Sequence, residues 1–165
     1  MDSPSDTTDR ETRLWERLVE PRQLTLFGIG MRVRRLNRIR TEHVGDAVAA
    51  AGFQVVGDYE VAAALRRSST PRTPSSLAED LLVTRAGMSG RLDRLEAMGF
   101  VEREPDRVDA RSHFVHLTAE GDVAVDAAFK QIVEADRRLF AGINTSEQAR
   151  LSGLLRKVLA VIDPE

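Results

Sequence analysis

Cysteine is absent from the 165-residue sequence, tryptophan occurs once, and aromatic residues make up only 5% of it. Without cysteine the chain has no disulfide framework, thiolate nucleophile, thiol redox switch or cysteine-ligated zinc site. No run of about 18 apolar residues is present, so we expect no membrane span. The N-terminal stretch MDSPSDTTDRET is polar and lacks the apolar core of a signal peptide. These absences predict a cytoplasmic protein.

The sequence also lacks the motifs of common catalytic sites. It contains no Gly-rich phosphate loop, no nucleophile elbow and no spaced carboxylate pair. The three histidines, His43, His113 and His116, are too few and wrongly spaced for a convincing metal site. We therefore expect a protein that is not an enzyme and that has no metal or cofactor.

Charge is distributed unevenly although the net charge is only −2. Residues 22–40 contain six arginines and no acid, whereas residues 66–111 contain nine arginines and eight acids. The first stretch includes a band of five arginines, Arg32, Arg34, Arg35, Arg38 and Arg40. This band could be a solvated helix face, a contact for DNA phosphates or the lining of an anionic-ligand pocket, and its pattern does not distinguish these roles.

The apolar spacing and the cap residues predict a largely helical chain. Residues 1–8 have no period and are predicted to be a disordered tail. Helices are expected over residues 9–20, 22–44, 57–67 and 74–81, and a further helix of small residues, VGDAVAAAGF, is expected to end at Gly52. Thr84 is expected to cap a further helix that ends near Gly99. Thr118 should cap a long helix to about Phe140, and a last helix follows with a wide aliphatic stripe.

Between Gly99 and Thr118 the period changes. The segments FVERE and SHFVHLT alternate and flank a charged turn that contains proline, which predicts a β-hairpin. Two short helices followed by a hairpin form a winged helix-turn-helix. The fold class is therefore mainly α with a small β-hairpin wing, and the N- and C-terminal helices form a dimerisation domain.

We accordingly predict four segments. Residues 1–8 are the tail, and 9–56 are N-terminal helices for dimerisation and a ligand pocket. Residues 57–118 are the winged DNA-binding domain, and 119–165 are C-terminal dimerisation helices. The apolar stripes of the flanking helices are too wide for the winged unit to cover alone, so pairing with a second copy would bury them.

The sequence resembles the MarR family of transcriptional regulators over residues 14–162. The resemblance is carried mainly by LAEDLLVTRAGMSGRLDRLEAMGFVEREPD, by the wing triplet Asp109-Ala110-Arg111 and by HLTAEG. The segment LLVTRAGMSGRLDRLE is similar in sequence to the PecS/HucR branch of this family. That resemblance implies a repressor that leaves its operator when a small anionic aromatic compound binds, such as urate, a related purine or a phenolic compound.

The winged order and the resemblance together favour DNA contact by one face of the helix after Thr84. Met88, Leu92 and Leu95 are spaced as core residues, and arginines on the opposite face could read guanine in a major groove. Gly87 and Gly90 cost roughly 1 kcal/mol each in helix propensity, a cost that close approach of the backbone to DNA would offset. The predicted DNA-binding residues are Thr84, Arg85, Ser89, Gly90, Arg94 and the wing residues Arg107 and Arg111. Arg94 could instead pair with an acid, and Asp109 with Arg111 could simply hold the wing turn.

A ligand site is suggested mainly by the resemblance. Its predicted residues are Trp15, Asp58, Glu60, Arg91 and Arg103. Trp15 is equally consistent with a core or dimer-interface position. Arg91 could hold a carboxylate or a urate-like anion bidentately, after giving up Asp58 or Glu60 as its partner in the unliganded state, and Arg103 could join it.

We therefore expect a homodimeric regulator that binds a pseudo-palindromic operator in double-stranded DNA and responds to a small anionic aromatic ligand. The alternative is a winged-helix module for protein–protein interaction that does not read DNA. The near-neutral charge of residues 66–111 is the observation that favours this alternative.

Overall fold

A computed structural model describes residues 5–105 and 113–162 of the chain. Over this part the protein is mainly helical with one antiparallel pair of strands, which confirms the predicted fold class. The elements are α1 (Thr7–Arg13), α2 (Pro21–Ala50), α3 (Val56–Arg67), α4 (Pro74–Asp80), α5 (Arg85–Ala97), β1 (Val101–Pro105), β2 (His113–Leu117), α6 (Ala119–Leu139) and α7 (Thr145–Ile162).

The N-terminal segment is more ordered than the sequence predicted. Asp6 and Asp9 form a reciprocal capping box that starts α1 two residues before the expected position. Thr8, assigned to the disordered tail, is only 2% exposed. Such a box satisfies two otherwise unpaired backbone donors, and this stabilises a helix start that lacks an apolar pattern. The predicted tail over residues 1–8 is therefore wrong for residues 6–8, and residues 1–4 lie outside the described part.

Pro21 begins a helix rather than only ending one. Proline is favoured in the first turn because its missing N–H would have no partner there. From Pro21 the helix α2 continues to Ala50, through the region where the sequence predicted two separate helices. The predicted helix 9–20 is correspondingly shorter and ends at Arg13.

The described residues divide into two compact units, one up to His43 and one from Val44 onward. The division falls inside α2, whereas the sequence predicted a boundary near residue 56. Ala47, Val48 and Phe53 are buried in the core that contains the winged elements, so the C-terminal end of α2 belongs with the second unit. The C-terminal helices belong to this unit as well.

The core of the second unit is built from aliphatic side chains on α3, α4, α5 and α6 and on the hairpin. Leu77, Met88, Leu92 and Leu95 are almost completely buried. Burial of each such side chain contributes about 1.5–3 kcal/mol relative to exposure. The three predicted core positions of α5 are thus confirmed, and they fix which face of that helix points outward.

Helices α4 and α5 form the helix-turn-helix. Thr73 and Thr84 cap them as predicted, since each hydroxyl accepts a hydrogen bond from the backbone three residues later. In the strands, Val101 pairs with Leu117 and Arg103 with Val115. Arg72 adds an isolated bridge to Val115, which ties the loop before α4 to the wing. No helix in residues 5–105 and 113–162 is long and apolar enough to cross a membrane.

The last helix has an unusual environment. None of the described residues of α7 is buried, although Leu154, Leu155, Val158 and Leu159 project from it. Together with α6 this helix lines an open groove of about 1090 Å³ whose apolar walls include Val133, Phe140, Leu151, Leu155 and Leu159. A contiguous exposed apolar face of this kind is typical of an interaction surface.

Candidate nucleic-acid interface

The outward face of α5 is the candidate site. Burial of Met88, Leu92 and Leu95 on one side leaves Thr84, Arg85 and Ser89 exposed on the other. The Thr84 hydroxyl accepts a hydrogen bond from the Gly87 N–H at 3.1 Å and fixes the start of the helix. The first turn of α5 contains no acid, so the positive end of the helix dipole is not opposed by a nearby carboxylate.

The two glycines of α5 have different surroundings. A Cβ atom at Gly87 would lie 3.1 Å from the Thr84 hydroxyl and would disturb the cap. At Gly90 the nearest atom to an added Cβ would be Arg94 Nη1 at 3.8 Å, an ordinary contact. The described structure is therefore tight at position 87, where the Thr84 hydroxyl would have to shift by a few tenths of an ångström, and has room for a methyl group at 90, where glycine costs helix propensity.

Arg94 forms an ion pair with Asp58, a partner that the sequence alone did not identify. Its Nε donates to Asp58 Oδ2 at 2.9 Å and its Nη2 to Asp58 Oδ1 at 2.6 Å. The Asp58 side chain is fully buried and that of Arg94 is 38% exposed. Hydrogen bonds from Arg94 to Asp58 raise the pKa of the guanidinium. This bidentate pair joins α3 to α5 and satisfies a buried charge, so Arg94 positions the helix. Its predicted contact with DNA stays a prediction.

Arg91 lies on the same side of α5 and has a weaker set of contacts. Its Nη1 donates to the Gly57 carbonyl at 3.1 Å and to Glu60 Oε2 at 3.4 Å. A Cβ atom at Gly57 would lie 2.6 Å from the guanidinium carbon, so glycine makes the space for Arg91. The acidic partner of Arg91 is Glu60, and the prediction that Asp58 could fill that place is wrong because Asp58 is bound to Arg94.

Arg103 does not join Arg91 in the way the ligand-site prediction proposed. Its Nη2 lies 2.6 Å from Asp93 Oδ1 and its Nε lies 3.5 Å from Glu96 Oε2. It therefore links β1 to the exposed acids of α5. The alternation of the strand places Arg103 beside the helix that precedes it, a contact that sequence spacing alone does not define.

These ion pairs connect α5 to α3 and to β1. In the part of the chain that the structure describes, arginines pair with two acids of α3 and two acids of α5: Asp58, Glu60, Asp93 and Glu96. Arg85 forms no ion pair with any described residue. The ion pairs therefore hold α5 against α3 and β1, while Arg85 in its first turn remains available to bind another molecule.

The remaining predicted site residues lie elsewhere. Trp15 belongs to the first unit, where its ring meets the edge of Phe27 with centroids 6.4 Å apart and 48% of the residue stays exposed. Its predicted stacking on a planar ligand stays a prediction. Arg107 and Arg111 of the wing lie outside the described residues. Within the described ranges, no group of three or more His, Asp or Glu side chains could hold a metal ion.

Comparison with known proteins gives a consistent assignment. A family model described as "MarR family" matches residues 52–112. The HTH-type transcriptional regulator PecS of Dickeya dadantii (strain 3937) is 31% identical over 103 residues, which cover 61% of this chain and 62% of PecS. The multiple antibiotic resistance protein MarR of Escherichia coli (strain K12) is 32% identical over 129 residues, which cover 76% of this chain and 84% of MarR.

A solved structure supports the fold. A mutant of MarR from E. coli, crystallised in complex with operator DNA, superposes with a TM-score of 0.65 at 24% identity, over 82% of this chain and 96% of that one. The match to PecS spans less than two thirds of that relative.

Proposed function

The chain belongs to the MarR family, and from this membership we propose that it is a DNA-binding transcriptional regulator whose helix α5 enters a major groove. The observation that carries the proposal is the exposed face of Thr84, Arg85 and Ser89 at the positive end of a helix that three arginine-centred ion pairs hold in place. A rigid helix with an available guanidinium suits bidentate recognition of guanine.

The free space around Gly90 also supports an orientation of α5 in which its exposed face points toward DNA. Since the described structure would accept a methyl group there, the lack of a side chain is better explained by a surface that approaches from outside. A DNA backbone or base edge against the first turns of α5 is such a surface. We propose that Thr84, Ser89 and Gly90 lie against DNA and that the wing, with Arg107 and Arg111, lies in the adjacent minor groove.

A homodimer is part of the proposal. The exposed apolar face of α7 and the groove that it forms with α6 would be buried by the same face of a second copy in a two-fold arrangement. Two copies of α5 then bind two half-sites about 10–10.5 base pairs apart, which predicts a pseudo-palindromic operator.

The alternative of a protein–protein interaction module is less well supported. It rests on the balance of charges over residues 66–111. Within that stretch Arg72 pairs with Asp80, and Arg103 pairs with Asp93 and Glu96, whereas Arg85 has no ion-pair partner among the described residues.

Replacing Arg85 with alanine should weaken binding to DNA from upstream of the gene for this protein. Loss of one bidentate base contact costs about 1–3 kcal/mol, which corresponds to roughly 5- to 150-fold in affinity. Fluorescence anisotropy with a labelled duplex measures this change. The matched control is Arg150→Ala, which removes an exposed arginine of α7 and should leave affinity within about twofold. Equal affinity of Arg85→Ala and the wild type would contradict the proposed face.

We further propose that Arg91 and Glu60 respond to a small anionic aromatic ligand, such as urate, a related purine or a phenolic compound, and that binding releases the operator. Two neighbouring ion pairs behave differently here. The Arg94–Asp58 pair is short and its carboxylate is fully buried, whereas Arg91 and Glu60 are 3.4 Å apart with side chains 23% and 52% exposed. An incoming anion could replace the exposed Glu60 carboxylate on Arg91 at little cost.

Replacing Arg91 with alanine should abolish release of DNA by such a ligand while leaving unliganded binding close to that of the wild type. The reason is that Arg94, and not Arg91, makes the stronger connection between α3 and α5. A thermal-shift panel of urate, xanthine and phenolic acids identifies the ligand first, because a ligand that binds the folded state raises its stability. Anisotropy then measures release. A full ligand response in Arg91→Ala would overturn the assigned role of this residue.

A further inference from the structure

The arginine band of α2 is divided between two roles. Arg34, Arg35 and Arg38 line a cavity of about 410 Å³ against α1, together with Thr8, Glu11 and Met31. Pockets for small molecules usually enclose about 300–1,000 Å³. All six residues belong to the first unit and none belongs to the α5 site, so this cleft is independent of the function proposed above.

Arg32 has a structural role that separates it from its neighbours. Its Nε donates to Asp6 Oδ2 at 2.9 Å and its Nη2 to Asp6 Oδ1 at 3.1 Å, and it also pairs with Asp9. The hydrogen bonds from Arg32 hold the pKa of Asp6 below its usual value. The two acids that cap α1 are therefore used to neutralise Arg32, and they do not neutralise the arginines of the cleft.

The cleft arginines are left with little compensation. Over the described ranges, Arg34 and Arg35 have no acidic partner within 4 Å, and Arg38 has only the exposed Glu42 at 3.4 Å. Like charges at neighbouring positions of one helix face destabilise the helix. Guanidinium groups bind carboxylate and phosphate through paired, charge-assisted hydrogen bonds, so a bound anion would relieve the repulsion.

Two other residues that line the cleft, Glu11 and Met31, indicate which class of ligand it could bind. Glu11 places a carboxylate in the same cleft, which opposes a simple anion but can accept a hydrogen bond from a ligand hydroxyl or N–H group. Met31 offers an adaptable apolar surface. A DNA backbone carries phosphates without such donors and does not fit a concave site that contains a carboxylate.

We propose that the cleft between α1 and α2 binds a small organic anion that carries a carboxylate or phosphate group and at least one hydrogen-bond donor. Arg34 and Arg35 hold the anionic group, Arg38 adds a third cation, and Glu11 accepts from the donor. The structure thus favours the anionic-pocket role for these three positions of the band and a structural role for Arg32.

Citrate tests the proposal because it has three carboxylates and one hydroxyl donor. Isothermal titration calorimetry on the full chain at constant ionic strength should show binding, and the double variant Arg34→Gln/Arg35→Gln should weaken it by about tenfold or more. The matched control is Arg17→Gln/Arg22→Gln, which removes two exposed arginines of the same unit outside the cleft and should change the affinity by less than about twofold.

A third variant, at Glu11, should raise the affinity for citrate, whereas the double arginine variant should lower it. Glu11→Gln keeps an acceptor oxygen and removes the negative charge, so it should bind citrate about three- to tenfold more tightly. An ordinary solvated helix face would show no such gain. Circular dichroism and thermal unfolding of each variant check that the fold is unchanged.

Several results would overturn the proposal. One is the absence of binding heat at citrate concentrations up to about 10 mM, and another is an unchanged citrate affinity in Arg34→Gln/Arg35→Gln. A third is loss of the binding heat in Arg91→Ala, because that result would assign citrate binding to the site at Arg91. A double variant that lost DNA affinity and kept citrate affinity would make the band a phosphate contact. The Arg85→Ala result is independent of all of these, so failure of one proposal is distinguishable from failure of the other.

Discussion

Replacing Leu155 and Leu159 with glutamate should dissociate the proposed dimer into monomers and reduce operator affinity by about 10²-fold or more. Both side chains line the groove between α6 and α7 and are about half exposed. In the proposed dimer they are buried against a second copy, where an unpaired carboxylate is strongly unfavourable. Because each monomer contacts only one half-site, loss of the dimer removes the gain from binding both half-sites together.

Light scattering coupled to size-exclusion chromatography measures the mass, and anisotropy measures the affinity. The control is Ser146→Glu, which adds one carboxylate at an exposed position in the first turn of α7, where the helix dipole favours it. This control should remain dimeric and bind DNA normally. A dimer of normal affinity in the Leu155→Glu/Leu159→Glu variant would show that the apolar face of α7 has another partner.

Replacing Arg94 with alanine should lower the free energy of unfolding by about 3 kcal/mol. Removal of one partner of a buried ion pair typically costs 3–5 kcal/mol because it leaves an uncompensated charge. The lower end applies because the Asp58 side chain is fully buried but that of Arg94 is 38% exposed. Urea unfolding of the two proteins gives the difference directly. DNA affinity should fall as well, since α5 loses its connection to α3.

Two further variants identify the cause. Asp58→Asn combined with Arg94→Ala removes the isolated charge and should recover part of the loss, because a neutral amide is less costly to bury than a carboxylate. Arg66→Ala removes an exposed arginine of α3 that pairs with Asp122 and Asp126, and should cost less than about 1 kcal/mol. Equal losses from Arg66→Ala and Arg94→Ala would contradict a special role for the buried pair.

Local signals made most of the fold predictable from the sequence. Thr73, Thr84 and Thr118 are caps whose position defines three helix starts, and the spacing of Met88, Leu92 and Leu95 defines the buried face of α5. The change to alternation after Gly99 predicts the hairpin. Each of these signals acts over a few residues, which is why one sequence is enough to interpret them.

The parts that the sequence did not predict depend on long-range contacts. The packing of α3 on α5 determines that Arg94 pairs with Asp58 and that Arg91 pairs with Glu60. The separation of these residues along the chain does not determine it. One signal was available: Asp58 lies at helical spacing from Val61, Ala62 and Leu65, which are buried core residues of α3. A charge in that pattern requires a buried partner. The early start of α1 depends on a capping box of two aspartates, Asp6 and Asp9, in a stretch without an apolar pattern.

The separation of Arg32 from the other arginines of α2 also needed the structure. In the sequence all five belong to one band of equal composition, and only the fold of α1 back onto α2 shows that Asp6 and Asp9 pair with Arg32. Charge patterns therefore predict that a basic surface exists but not which of its members are already paired.

Binding of the wild-type protein to DNA from upstream of its own gene tests the central proposal most directly. We expect anisotropy to show tighter binding to this duplex than to a shuffled duplex of equal composition, by about 10³-fold or more. We also expect a steep loss of affinity between about 50 and 200 mM salt, since phosphate contacts release counterions. Equal binding to both duplexes, or no binding at the lower salt concentration, would contradict a sequence-specific role for α5.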